Sequence, residues 1–285
     1  MAELVIASAK APLAPASLGH VFERRSFALV FGLLSALAIV LLLAPTVIVL
    51  ITSLTSGFSL KFPPPGYSWR WYLALWTDSP EILQAFLLSV EVAAIATCVS
   101  TVMAIAAALA LARRRESWAR LIESAFLSPL MLPALAIGLA LLMLFNLAGA
   151  GLSFATLVAG HIVVTAPYVF RTTTASLVQL NPSLLESAGS LGAKPLYVFR
   201  SVTLPLIFPG VAAGAFIAFM YSFDNVAVSL FLSDARTELL PIRMWQMIET
   251  NLDVRAAAVS GVLIAVTLVL MVVMERVAGI SRHLR

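Results

Sequence analysis

Residues 181–209 read NPSLLESAGSLGAKPLYVFRSVTLPLIFP, and the stretch is amphipathic rather than membrane-spanning. Asn181 can cap a helix, with Pro182 in its first turn. Leu184, Leu185, Ala188 and Leu191 then fall on one helical stripe, while Ser183, Glu186, Ser187 and Ser190 fall mostly on the other side. Gly192 follows the last apolar residue, where a left-handed turn ends helices at little cost. Pro195 can start a second short helix, which Pro205 would end or kink. The spacing predicts two short helices joined by a tight glycine bend. The first carries an apolar stripe with no core of its own, as a partner-binding helix does.

Outward from this loop the chain turns apolar. It holds 61% hydrophobic and 11% charged residues, where a soluble domain carries roughly 25% charged. That is too little charge to coat a soluble surface. Six blocks approach the roughly 20 apolar residues of a spanning helix: Ser26–Ile51, Gln84–Ala112, Ser124–Ala148, Ser153–Val178, Leu206–Leu232 and Ala256–Ala278. They are continuous and rich in Ala and Leu, unlike the short alternating strands of a barrel. Helices are the form that satisfies its own backbone in lipid. The expected fold is therefore all-α, a polytopic membrane protein with six transmembrane helices.

Lys and Arg set the orientation. With the N-terminus in the cytosol, cytosolic segments hold twelve basic residues: Lys10, Arg24, Arg25, Arg113, Arg114, Arg115, Arg120, Lys194, Arg200, Arg276, Arg282 and Arg285. Outer segments hold five: Lys61, Arg70, Arg236, Arg243 and Arg255. Arg171 lies towards the cytosolic end of the fourth block. Both termini are then inside, with a cytosolic tail over 1–25, the six-span domain over 26–279 and a second tail over 280–285. The first apolar block is too long for a signal-peptide core. The net charge of +4 does not point to nucleic acid, because the basic residues sit at block ends and not among stacking aromatics. Cys98 is the single cysteine, so no disulfide forms within the chain. Trp69, Trp71, Tyr72 and Trp76 in the first outer loop suit a lipid–water interface, and the charges of the second, Ser233–Arg255, suit a solvated surface.

The sequence Glu186-Ser187-Ala188, then Gly192, then Val202-Thr203-Leu204-Pro205 resembles the EAA loop of ABC importer permeases, which reads Glu-Ala-Ala, Gly and Ile-x-Leu-Pro. Ser187 and Val202 depart from it by small or isosteric changes. The match falls over 181–205, on a cytosolic loop between the fourth and fifth of six spans. Further stretches look like the second permease of spermidine/putrescine-type importers. These are Phe62-Pro63-Pro64-Pro65-Gly66-Tyr67-Ser68-Trp69-Arg70-Trp71-Tyr72, Ser128-Pro129-Leu130-Met131-Leu132-Pro133 with Gly138, His161 with Pro167-Tyr168, and Ser222-Phe223-Asp224-Asn225-Val226-Ala227-Val228-Ser229-Leu230-Phe231 with Leu239-Leu240-Pro241. The resemblance implies the MetI-like fold of type I ABC importer permeases in a bacterial inner membrane. It implies that Leu184, Leu185, Glu186, Ser187, Ala188, Leu191 and Gly192 couple to a cytosolic ATPase. The implied partners are a second permease, two ATPase subunits and a periplasmic solute-binding protein. Related branches carry opines, aminophosphonates or other small solutes.

Asp224 sits near the middle of the fifth block, where a charge costs roughly 3 kcal/mol to insert, so it is expected to face a cavity or a partner. A carboxylate there would suit a polyamine cation; the competing reading is a structural carboxylate bonded to Asn225, Ser222 or the other permease. Tyr221 and Asn225 flank it and could line the same path, and Glu91 lies on the outer side of the second block. His161 reads as a packed or interfacial residue, and no cluster has metal spacing. Gly210 and Gly214 form a Gly-x-x-x-Gly pair suited to close helix contact at a permease–permease interface. No Gly-x-x-x-x-Gly-Lys-Ser/Thr loop is present, so ATP and Mg belong to partner subunits, and the chain itself needs no cofactor and no catalytic site. An ion-coupled secondary transporter would show paired intramembrane carboxylates and broken repeats, and a membrane enzyme a polar constellation at one depth.

Overall fold

The computed structural model describes residues 18–112, 114 and 116–278. Both sequence ends, with Lys10, Arg282 and Arg285, and the loop residues Arg113 and Arg115 lie outside the described residues. The chain divides into residues 1–51 and 52–285. The first unit is carried by α1 (Leu18–Ser53), whose apolar side chains, Leu33, Leu37, Leu41 and Leu42 among them, are exposed on every face. A helix apolar all round is one made for lipid or for another helix.

The second unit is helical too: α2 (Arg70–Thr77), α3 (Pro80–Leu111), α4 (Ser117–Leu127), α5 (Ala134–Leu147), α6 (Phe154–Val178), α7 (Pro182–Ser190), α8 (Pro195–Val198), α9 (Leu204–Phe223), α10 (Val226–Leu232), α11 (Leu240–Asn251) and α12 (Val254–Ala278). Among the described residues the nearest thing to a strand is one antiparallel bridge, Thr55 with Tyr67. Five stretches are long and apolar enough to cross a bilayer: Phe27–Ser53, Pro80–Leu111, Phe154–Val178, Pro195–Phe223 and Val254–Arg276.

The third expected span is not one helix. Ser117–Leu130 and Ala134–Leu147 meet at a bend of 110°. Pro133 offers no N–H and pushes Leu132 out of the helical region, so the rod stops there. At 1.5 Å per residue α5 is about 21 Å long, short of the roughly 30 Å hydrocarbon core.

The fifth expected span, Leu206–Leu232, is also revised at both ends. Its helix begins earlier, at Pro195, and ends at Phe223. The second short helix of the loop is therefore not separate: α8 runs through a π-turn, Phe199–Thr203, into α9. Leu204 N–H bonds back to Phe199 O, five residues away, and this widened turn relieves the clash an α-turn would create between the Pro205 ring and the carbonyl one turn back.

The core of the second unit is α3, α6 and α9 packed on small side chains. Val92, Ala93, Ala96 and Ala104 of α3 are fully buried. The Gly210–Gly214 pair works inside this chain, not at a second permease. A Cβ on Gly214 would lie 2.1 Å from Thr172 Oγ1 and 2.9 Å from Val169 Cα, and one on Gly210 would lie 1.8 Å from Ser176 Oγ. The two glycines thus let α9 press against α6. Between α3 and α6, Ser100 Oγ and Thr165 Oγ1 sit 2.7 Å apart.

The segments before α3 and before α12 are more built than their sequence suggests. Arg70 donates to Gly57 O at 2.9 Å and stacks 4.1 Å over Phe58, while Trp71 donates to the same carbonyl at 3.1 Å. Tyr72 bonds Ser53 at 2.8 Å. Trp69 and Trp76 stay exposed, as interface anchors would. The segment between α10 and α12 contains α11, tied down where Leu240 N–H donates to Ser89 Oγ of α3 at 2.8 Å.

Candidate functional site: the Asn181–Gly192 elbow and the break at Asp224

The elbow forms for local reasons. Asn181 Oδ1 accepts from Ser183 N–H at 3.1 Å and caps α7, with Pro182 beside it. At the other end Ala193 N–H reaches Ala188 O at 3.2 Å and Gly192 N–H reaches Gly189 O at 2.9 Å. That pair of bonds is a Schellman motif, and it requires the left-handed backbone that Gly192 adopts at φ +78°.

The apolar stripe of α7 divides. Leu185 and Ala188 are half-buried, and Leu185 borders a cavity of about 830 Å³ that also touches Leu109 of α3 and Leu177 of α6. Leu184 and Leu191 point outward, Leu191 at 88% exposure. Glu186 and Ser187 are exposed beside them. Leu196 and Tyr197 of α8 are exposed across the bend and were missed from sequence.

The second region is the end of α9. Asp224 leaves the helix at φ −99°, ψ 13°, and Asn225 turns extended at φ −80°, ψ 93°. Asn225 is buried, and its Oδ1 accepts from Val228 N–H at 2.8 Å, capping α10. Asp224 therefore sits at a break between two helices and not inside a continuous span. Asn and Asp stop helices because their side chains replace backbone partners.

His161 of α6 fastens this break. It is fully buried. Its Nδ1 lies 2.8 Å from Ser222 Oγ on α9, and its Nε2 lies 3.3 Å from Ser229 Oγ on α10. The Ser229 hydroxyl donates to Asn225 O. Its one proton being used there, Ser229 must accept from Nε2–H, so Nδ1 accepts from Ser222. The sequence reads His161 as a packed or interfacial residue and carries no signal for its partners, which lie 61 and 68 residues away.

Around the break, the Tyr221 ring packs on Tyr168 with centroids 4.7 Å apart. The Asp224 side chain is exposed and has no hydrogen-bond or ion-pair partner among the described residues. Arg171, one turn beyond Tyr168 on α6, is likewise exposed and without an ion pair among them. Glu91 is exposed on α3 and shares no hydrogen bond or ion pair with the break. The structure thus joins Tyr221, Asp224 and Asn225 in one region and leaves Glu91 apart in bonding.

Residues 100–282 match a family described as binding-protein-dependent transport system inner membrane component. The spermidine/putrescine transport system permease protein PotC of Haemophilus influenzae is 29% identical over 237 residues, 83% of this chain and 92% of the relative. The putative 2-aminoethylphosphonate transport system permease protein PhnV of Salmonella typhimurium is 26% identical over 252 residues, 86% of this chain and 92% of the relative. Among solved structures, a chain of a bacterial ABC transporter that imports the acidic polysaccharide alginate superposes with a TM-score of 0.71 at 14% identity, covering 92% of this chain and 98% of that one. The fold is thus that of ABC importer permeases, and the chain belongs to the binding-protein-dependent transport system inner membrane components, which are permease subunits and not themselves enzymes.

Proposed function

We propose that this permease moves a polyamine-like cation inward through a path that Asp224 lines. The observation that carries the reading is the exposed, unpartnered Asp224 carboxylate at a helix break, on a chain similar to a spermidine/putrescine permease. Tyr221 and Tyr168 present an aromatic wall beside it, which suits an ammonium group. Asn225 holds the break in shape, and Glu91 attracts cations at the outer side of α3. The chain binds no nucleotide. Two cytosolic ATPase subunits hold ATP and Mg, and one receives the outward side of the elbow: Leu184, Glu186, Ser187 and Leu191, with Gly192 fixing the bend. Leu185 and Ala188 transmit the push into the bundle. A second, paralogous permease completes the path, a periplasmic protein delivers the solute, and both termini are cytosolic.

Uptake of labelled spermidine by cells carrying Asp224→Asn tests the path. A charged hydrogen bond is worth about 1.5–3 kcal/mol, so the half-saturating concentration rises roughly 10- to 100-fold with membrane levels unchanged. Unchanged uptake refutes Asp224 as a lining residue. A second reading, an aminophosphonate or opine, is favoured by the similarity to PhnV and by the free Arg171 cation, which suits an anionic end. Competition by 2-aminoethylphosphonate but not by spermidine selects it.

A further inference from the structure

We infer that the outer half of the second unit holds a structural phospholipid, with an acyl chain in a groove between α3 and α12 and an aminophosphate headgroup of the phosphatidylethanolamine type above it. The groove is a cavity of about 240 Å³ lined only by apolar side chains, Leu75, Ile82, Phe86, Val259, Val262 and Leu263 among them. That is below the roughly 300–1,000 Å³ of sites that enclose compact ligands, and it suits a thin chain. No polar group is offered inside to orient a solute, so recognition falls to the mouth.

The mouth is defined by the same two helices. Ser79 is the residue before α3, and Glu81 in its first turn directly precedes Ile82 of the groove; on α12, Arg255 lies one turn before Val259. Arg255 bridges the helices there. Its guanidinium meets Asp253 at 2.7 Å, Ser79 at 2.9 Å and Glu81 at 3.4 Å. Asp78, next in the chain to Ser79, is exposed, and its carboxylate has no hydrogen-bond or ion-pair partner among the described residues. Asp253 and Glu81 thus contact one guanidinium, and the Asp78 carboxylate acts on it through space. The excess negative charge repels an anionic headgroup and attracts a primary ammonium, which can donate to Asp78 while the phosphate meets the edge of Arg255. Trp76, exposed at the rim of the groove, marks the level of the lipid–water interface.

The test uses the full chain, purified from membranes with the subunits that accompany it. It is placed in nanodiscs of equal parts phosphatidylethanolamine, phosphatidylglycerol and phosphatidylcholine, then weighed by native mass spectrometry. The expected result is one retained phosphatidylethanolamine, at least fivefold more frequent than either other lipid. Val262→Trp fills the groove and lowers retention at least fivefold in a particle that stays monodisperse. Should that variant not yield such a particle, Leu83→Phe at the rim reads the same loss. Asp78→Asn keeps a lipid but brings the headgroup preference to within about twofold of parity. No retained lipid on the wild type, a preference for phosphatidylglycerol, or retention unchanged by groove filling overturns the inference.

Discussion

At the scale of single residues, two buried or bonded side chains decide local shape. His161 uses both ring nitrogens to hold the ends of α9 and α10, and the exposed Asp224 carboxylate is presented by the turn between them. His161→Ala leaves two buried serine hydroxyls without this partner. It should lower stability by about 1–3 kcal/mol, read as an earlier thermal transition of the purified protein, and reduce uptake without altering the elbow. In the turn between α10 and α11, Asp234 Oδ1 accepts from the Thr237 hydroxyl at 2.8 Å and from the Arg236 and Thr237 N–H groups at 2.9 Å each. The Thr237 hydroxyl first, and the Arg236 amide next, hold the Asp234 carboxyl below the usual carboxylate range. A lowered value in the folded chain means the turn gains stability above the unfolded pKa of about 3.9 and loses it as pH falls through the folded value. Amide protection across 233–238, taken relative to the intrinsic exchange rate at each pH, should therefore fall on acidification below about pH 4, and Asp234→Asn should flatten that dependence. Asn181 and Gly192 were legible in the sequence because cap and bend chemistry act over a few residues. The His161 clasp was not, because its partners are brought together only by the packing of α6, α9 and α10.

Among the elements, the sequence was read well where composition decides and less well where direction does. Apolar blocks marked the passages, and five of them are long helices. Hydropathy counts side chains and is blind to a change of axis, so it does not show the 110° bend that Pro129 and Pro133 flank. The same holds at Asp224-Asn225: two polar residues inside an apolar block read either as lining a path or as structural groups, and the structure makes them the stop of one helix and the cap of the next. The Gly210–Gly214 pair was recognised as a close contact but assigned to the wrong neighbour, because sequence periodicity names a face and not its partner. Gly214→Val tests the corrected assignment. Its side chain must collide with Thr172 and the Val169 backbone, so it should destabilise the isolated chain by about 1–3 kcal/mol, measured by thermal unfolding. An unchanged transition would return the glycines to an interface between chains.

Across the whole molecule, the physical demand is that each exposed apolar surface meets lipid or protein. The faces of α1 meet that demand through a membrane, whereas Leu184 and Leu191 stand on a short polar elbow that no membrane-spanning helix carries. On this contrast rests the proposal that a separate ATPase subunit docks at α7. The most direct measurement puts a cysteine at Ser187 in a Cys98→Ser background, then treats membranes from either side with an impermeant thiol-to-amine cross-linker. The account predicts a covalent adduct between this chain and an ATP-hydrolysing subunit, formed only when reagent reaches the cytosolic face. Labelling of that cysteine from the outer face, or cytosolic labelling that never captures an ATPase, would contradict it.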